Sequence, residues 1–101
     1  MPLSSRERAA LRADAHHLDP LLSIGAGGIS PPVVQSLEDA FRSHELVKIK
    51  VGPTGTVAAR DAAAQLAAAT NADVVQVIGH TATLFRENLE LRAKAAARTK
   101  R

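Results

Sequence analysis

Apolar residues recur along this chain with either the period of a helix or the period of two that is typical of a strand. Each change of period marks a boundary between predicted helices and strands. Ser4 and Glu7 have the spacing of a capping box and precede an apolar stripe at helical spacing, which predicts a first helix that ends near His17. By contrast, 46–51 (LVKIKV) alternates with a period of two. It predicts a strand with Val47, Ile49 and Val51 on one face, and Lys48, Lys50 and Leu46 on the other.

Residues typical of turns and helix caps predict where the remaining helices and strands begin and end. We predict a strand at Leu21–Ile24, a helix capped by Ser30 with Pro31 at its first position, and an alanine-rich helix over 57–69 that Asn71 ends. The apolar spacing of the second helix predicts a buried face of Val33, Leu37, Ala40, Phe41 and His44. Strands at Val74–Ile78 and Thr81–Arg86 flank Gly79-His80, which is typical of a two-residue hairpin loop with glycine first.

This hairpin fixes a register and, with the other elements, a fold class. The predicted cross-strand pairs are Ile78–Thr81, Val77–Ala82, Gln76–Thr83, Val75–Leu84 and Val74–Phe85. The more polar layer, with Gln76 and Thr83, is expected on the open side of the sheet. The order α-β-α-β-α-β-β predicts an α/β fold with a small four-stranded mixed sheet, in which strand–helix–strand units pair in parallel and the hairpin adds an antiparallel strand.

Composition narrows the class of protein. The chain has 101 residues, 46% of them hydrophobic, which suits one domain with a packed core. Phe41 and Phe85 are its only aromatic residues, so that core must be aliphatic and rich in alanine. The absence of cysteine excludes disulfides and zinc–thiolate sites. No apolar run has the length of a membrane span and no signal-peptide block opens the chain, so we expect a cytoplasmic protein with no membrane association.

Basic charge is concentrated at the end of the chain. Residues 92–101 (RAKAAARTKR) hold five basic residues and no acid, and 1–91 hold eight basic and ten acidic residues. We therefore expect a domain over 1–86 and a basic tail over 87–101. Such a tail indicates a polyanionic partner, and it is equally typical of a solvated chain end.

A glycine-rich loop joins the first strand to the second helix in 21–32 (LLSIGAGGISPP). Backbone amides at a helix start, reached through glycines without Cβ atoms, can bind an anion. A dinucleotide fingerprint requires a third glycine where Ser30 stands, and a P-loop requires a lysine that is missing. Gly25-Ala26-Gly27-Gly28 fits the G-x-x-G loop that holds a nucleic-acid backbone. The motif alone is weak, because a tight strand-to-helix turn uses the same residues.

No group of side chains predicts catalysis. His16 and His17 are adjacent on a helix and point apart, with no third metal ligand spaced nearby. Ser23 and Asp61 have no partner that would form a nucleophile–base pair. We therefore expect no enzyme activity, no metal, no cofactor and no small-molecule substrate.

Three segments in order resemble the bacterial YhbY family, which consists of single CRM domains (chloroplast RNA splicing and ribosome maturation). They are AHHLDPLLSIGAGGI, HELVKIKV and VQVIGHTATLFR, and the resemblance covers residues 3–86. It implies a fold similar to the C-terminal domain of translation initiation factor 3. It also implies an RNA-binding ribosome assembly factor, expected to be a monomer, whose partner is ribosomal RNA in precursors of the large subunit.

The resemblance also implies a set of RNA contacts. They are Gly25, Ala26, Gly27 and Gly28, then Lys48, Lys50 and Arg86, with Arg8 and Arg12 as flanking contacts. Phe85 is expected either to stack on a base or to lie in the core at a strand end. Two departures weaken the match: Ala26-Gly27 puts no polar side chain inside the loop, and His80 stands where relatives commonly have lysine. The rival hypothesis is a module that docks on a ribosomal protein or an assembly GTPase.

Overall fold

Four helices and one four-stranded sheet make up the described part of the chain, residues 3–25, 28–52 and 58–99 of the computed structural model. In chain order they are α1 (Ser5–Ala15), β1 (Leu22–Ile24), α2 (Pro31–Ser43), β2 (Leu46–Val51), α3 (Ala59–Thr70), β3 (Asp73–Ile78), β4 (Thr81–Phe85) and α4 (Leu89–Thr99). The α/β class and the order of the first seven elements are confirmed. The helix α4 lies within the segment expected as a basic tail.

The strand order in the sheet is β1-β2-β4-β3. β1 and β2 pair in parallel, as their strand–helix–strand unit predicts. The same expectation is wrong for β2 and β3, because β4 lies between them and pairs antiparallel with both. The hairpin therefore contributes a central strand as well as an edge strand.

The hairpin register follows the prediction for three pairs and then departs from it. Gly79 takes the positive φ of 56° that its turn requires, and Ile78, Val77 and Gln76 pair with Thr81, Ala82 and Thr83. Beyond Gln76 the register shifts, so that Val74 pairs with Leu84 and Asp73 with Phe85. The predicted pairs Val75–Leu84 and Val74–Phe85 are thus wrong. The reason is a β-bulge at Val75. The extra residue reverses the faces of the residues before it, so that Val74 and not Asp73 points toward the main core.

The main core lies between α2, α3 and one face of the sheet, which we call the core face. Phe41 and Leu37 of α2 are fully buried there against Val47 and Ile49 of β2. Four buried alanines of α3 let that helix approach the sheet closely: Ala59, Ala62, Ala63 and Ala67. The buried face predicted for α2 is wrong at His44, which ends the helix in an extended conformation and is exposed.

The other face of the sheet carries Lys48, Lys50, Thr81 and Thr83, and α1 packs across part of it. We call it the α1 face. It was expected to be open, and that is wrong at Thr83, which is only 1% exposed. Phe85 shares this face at its far end and is half-buried.

Local caps fix the ends of the helices. In α1 the Ser4 hydroxyl accepts from Glu7 N, and Ser4 N donates to the Glu7 carboxylate at 3.1 Å, which confirms the capping box. That backbone bond lowers the pKa of Glu7, so its contribution to the helix start is lost as the pH falls through the lowered value. Asn71 ends α3 in the left-handed conformation, as predicted.

The last helix is attached to the domain through Asn88 and Glu45. Asn88 accepts from Leu91 N as an N-cap and donates through Nδ2 to the Phe41 carbonyl at 2.8 Å. The Glu45 carboxylate accepts from Asn88 N and from Arg92 Nε, both at 2.7 Å. This bond to Glu45 raises the pKa of Arg92. The start of the basic segment is therefore fixed against β2.

Candidate nucleic-acid interface

Three loops converge at one end of the sheet. Gly25 follows β1 and Gly52 follows β2, and Gly52 N donates to the Ile24 carbonyl at 2.8 Å. The hairpin tip reaches the same end, where Val51 N donates to the His80 carbonyl at 2.6 Å. We call this region, with Gly25, Gly28, Lys50 and His80, the loop end. It is the part of the described structure where the predicted G-x-x-G loop and a strand lysine lie together.

The two described glycines of the G-x-x-G loop have different roles. Gly28 is buried with a positive φ of 69°, and its N–H donates to the Gly25 carbonyl at 3.0 Å. Gly25 is exposed, and a Cβ atom added there would meet nothing within 4 Å. Ala26 and Gly27 were also predicted as contacts and lie outside the described residues. The loop thus uses the Gly28 amide for its own turn and presents Gly25 to an approaching ligand.

The start of α2 offers fewer amides than the anion-site hypothesis assumed. Pro31 and Pro32 occupy its first two positions and have no N–H. Val34 N donates to the Ser30 carbonyl at 3.0 Å, which leaves Val33 as the one residue of the first turn with an N–H to offer a ligand. The second proline was a visible signal for this in the sequence. Anion binding at this helix would rest on that amide and on the helix dipole.

Lys48 is half-buried on the α1 face and its ammonium group binds the end of α1. Its Nζ lies 3.2 Å from the Ala15 carbonyl oxygen and 3.3 Å from that of Leu18. The last carbonyls of a helix lack partners within the helix, and a cation there also interacts favourably with the helix dipole. The lysine that was predicted to contact RNA therefore holds α1 against the sheet.

Lys50 is the exposed lysine of β2 and lies at the loop end. It pairs with Ser23 of β1 on one side and Thr81 of β4 on the other. No carbonyl or carboxylate of residues 3–25, 28–52 and 58–99 holds its ammonium group. This cation is therefore available to a phosphate close to Gly25.

Two of the predicted arginines, Arg86 and Arg8, are not brought to the loop end. Arg86 follows β4 at the opposite end of the sheet, where its backbone N–H donates to the Glu45 carbonyl at 2.9 Å. Glu45 lies six residues before Val51 in the chain and thus about 20 Å from it. Its guanidinium Nη1 lies 3.0 Å from both carboxylate oxygens of Glu38 and from the Thr70 carbonyl oxygen. Arg8 Nη1 donates to the Val74 carbonyl at 2.6 Å. Arg12 is half-buried one helical turn further along α1.

The described ranges hold neither a metal-binding cluster nor a membrane-spanning helix. Residues 3–25, 28–52 and 58–99 contain no group of three or more His, Asp or Glu side chains that could hold a metal ion. No helix in these ranges combines the length and the apolar character needed to cross a membrane.

Comparison with known proteins decides the family. The model of the CRS1/YhbY (CRM) domain matches residues 3–86. This chain belongs to the CRS1/YhbY (CRM) domain family. It is 33% identical over 88 residues to a Haemophilus influenzae protein named RNA-binding protein, an overlap of 87% of this chain and 89% of that one. It is 31% identical over 88 residues to the probable RNA-binding protein YqeI of Bacillus subtilis, covering 87% of this chain and 92% of the relative.

A solved structure supports the same fold. The solution structure of the hypothetical protein SAV1595 from Staphylococcus aureus, described as a candidate RNA-binding protein, superposes with a TM-score of 0.74. The two chains are 32% identical, and the match covers 85% of this chain and 90% of the other. The fold is therefore shared over most of both proteins.

The contacts of Lys48 give a prediction that separates its role from that of Lys50. We expect Lys48→Met to lower the free energy of unfolding by about 1–2 kcal/mol, because the carbonyls of Ala15 and Leu18 lose a charged donor. Lys50→Met should change it by less than about 0.5 kcal/mol, since that side chain is exposed. Urea unfolding of both variants checks this, and equal effects would contradict the capping role of Lys48.

Proposed function

We propose that this CRM-domain protein is a non-catalytic RNA-binding factor that binds ribosomal RNA in precursors of the large ribosomal subunit. Relatives that share about a third of its residues are named as RNA-binding proteins. The net charge of +3 and the pI near 10 favour a polyanionic partner. The ribosomal part of the proposal comes from the family resemblance, and the contact surface from the geometry at the loop end.

The observation that carries the proposal is the exposed Lys50 ammonium group beside exposed Gly25. A phosphate at this end meets a cation with no carboxylate partner among the described residues, and it can approach the backbone where no Cβ intervenes. We assign RNA contact to the Gly25–Gly28 loop and to Lys50, with Arg12 as a flanking contact. Lys48, Arg8 and Arg86 support these elements through their bonds to protein groups.

The position of α4 adds a second basic region to the proposal. Its first turn is attached by Asn88, and Lys94 on the following turn is exposed. The basic residues that follow Arg92 would add attraction that depends little on sequence, because they contact phosphates and not base edges. Arg92 itself is paired with Glu45 and Glu87.

Lys50→Glu is expected to weaken RNA binding and to flatten its salt dependence. Loss of one phosphate contact should reduce the slope of log K against log salt by about 0.7, the value for single-stranded RNA. The measurement is a titration of ribosomal RNA fragments over a salt series. In the same series, Gly25→Asp should bind more weakly than Gly25→Asn, which has nearly the same shape and no charge, because a carboxylate in the loop repels phosphate.

Arg6→Glu is the matched control for charge. Arg6 is exposed in the first turn of α1, and its replacement changes the net charge by the same amount as Lys50→Glu. It should keep the salt slope of the parent. If Lys50→Glu and Gly25→Asp both bind RNA like the parent while the protein still sediments with large-subunit precursors, the loop-end proposal fails and docking on a ribosomal protein or an assembly GTPase is favoured.

A further inference from the structure

A cavity of about 150 Å³ opens on the α1 face next to the loop end. Two rows of cross-strand neighbours form its floor. One row runs from Lys48 through Thr83 to Gln76, and the next from Thr81 to Ile78, with Lys50 at its β2 end. His16, just past the end of α1, forms a wall. The cavity is therefore the part of this face that α1 leaves uncovered.

The floor of the cavity carries polar groups without protein partners. Thr83 is 1% exposed, and its Oγ1 makes no hydrogen bond with any of the described residues. The Gln76 carboxamide, its neighbour on β3, has no partner there either. A buried hydroxyl without a partner is costly, and most such groups in folded proteins are paired. One such hydroxyl in a cavity, beside the half-buried Gln76 carboxamide, indicates a polar ligand.

One side of the cavity mouth is apolar. Ile78, at the edge-strand end of its row, is 61% exposed there. An exposed side chain of this kind can cover the flat face of a ring that enters beside it. The site thus combines a hydrogen-bonding floor, an apolar rim and, one strand away, the Lys50 cation.

We propose that this cavity receives one pyrimidine base of the bound RNA. The proposal rests on the proposed function and adds to it a base preference. A cavity of about 150 Å³ in another protein holds one benzene ring, so a single six-membered ring fills the volume here and the second ring of a purine would stay outside it. The Gln76 carboxamide and the Thr83 hydroxyl both donate and accept, and so can pair with the Watson–Crick edge of uracil or cytosine. Lys50 then lies beside the adjoining phosphate.

The test compares uridine, cytidine and adenosine homopolymers of one length at one salt concentration. We expect the parent to bind the two pyrimidine polymers about tenfold more tightly than the adenosine polymer, in line with one base read by paired hydrogen bonds. In Thr83→Val this ratio should fall toward one. The variant keeps the shape of the side chain and removes an unpaired hydroxyl, so it should fold like the parent. Gln76→Met is the second variant and should reduce the ratio in the same way.

Thr70→Val is the matched control. Its hydroxyl is also buried but donates to the Leu66 carbonyl at 2.7 Å within α3, away from the cavity, so the ratio should stay that of the parent. A parent that binds RNA with no pyrimidine preference, or a Thr83→Val protein that keeps the preference, would overturn the base pocket and leave the proposed function intact. A parent that binds none of the polymers or ribosomal RNA fragments would overturn both.

Discussion

Replacing Phe41 with alanine should lower the free energy of unfolding by about 3–5 kcal/mol. The ring is fully buried between α2 and the core face, and the Arg86 guanidinium lies 4.8 Å from its centroid. Truncation removes both the core packing and the surface on which Arg86 rests. Since a domain of this size has about 5–15 kcal/mol in total, the variant should lose a large fraction of its stability. Urea unfolding followed by circular dichroism measures the loss.

Phe85→Ala is the matched control for that truncation. It removes the same ring from the one other aromatic residue, which is half-buried at the end of β4. We expect Phe85→Ala to lower the free energy of unfolding by less than half as much as Phe41→Ala does. If both variants lowered it equally, the core would not be centred on α2.

Phe41 carries so much of the expected stability because the rest of the core is small. The face that α3 buries consists of alanines, Leu66 and Thr70. These side chains let the helix approach the sheet closely, but each contributes little apolar area. The composition already indicated an aliphatic core rich in alanine. What it could not show is that the one fully buried ring also supports Arg86, the residue that follows β4.

Short sequence motifs predicted those features of the fold that depend only on residues close together in the chain. The capping box at Ser4, the left-handed cap at Asn71 and the glycine turn at Gly79 each place a side chain or a φ angle within a few residues. The bulge at Val75 had no such signal, because successive valines satisfy either face of a strand. β4 lies between β2 and β3 because it pairs with β2, a strand far from it in the sequence. The alternation of apolar and polar residues does not encode which strands pair.

The candidate site was harder to predict for the same reason. The sequence identified the cations but not the groups they contact. Lys48 binds carbonyls 33 and 30 residues away, and Arg86 binds a carboxylate 48 residues away. Each acceptor lies on an element brought near only by the tertiary fold. A lysine or arginine in a motif therefore remains a candidate for ligand contact until its intramolecular acceptors are known.

Arg86→Met should lower the free energy of unfolding by about 2 kcal/mol and affect RNA affinity less than Lys50→Glu does. The Arg86 and Glu38 side chains are 26% and 35% exposed, so the variant leaves a half-buried carboxylate and the Thr70 carbonyl without their donor. Methionine retains much of the apolar contact with Phe41. Urea unfolding measures the stability, and RNA titration at a temperature where the variant is folded measures the affinity.

Two further variants make this test specific to the pair. Arg42→Met breaks an ion pair with Asp39 whose side chains are 74% and 57% exposed, so it should cost less than about 0.5 kcal/mol. In a double-mutant cycle with Glu38→Gln, the coupling with Arg86→Met should be about 1 kcal/mol or more, because the two side chains are in direct contact. An Arg86→Met protein as stable as the parent but weakened in RNA binding would return Arg86 to the RNA surface, where the family resemblance had placed it.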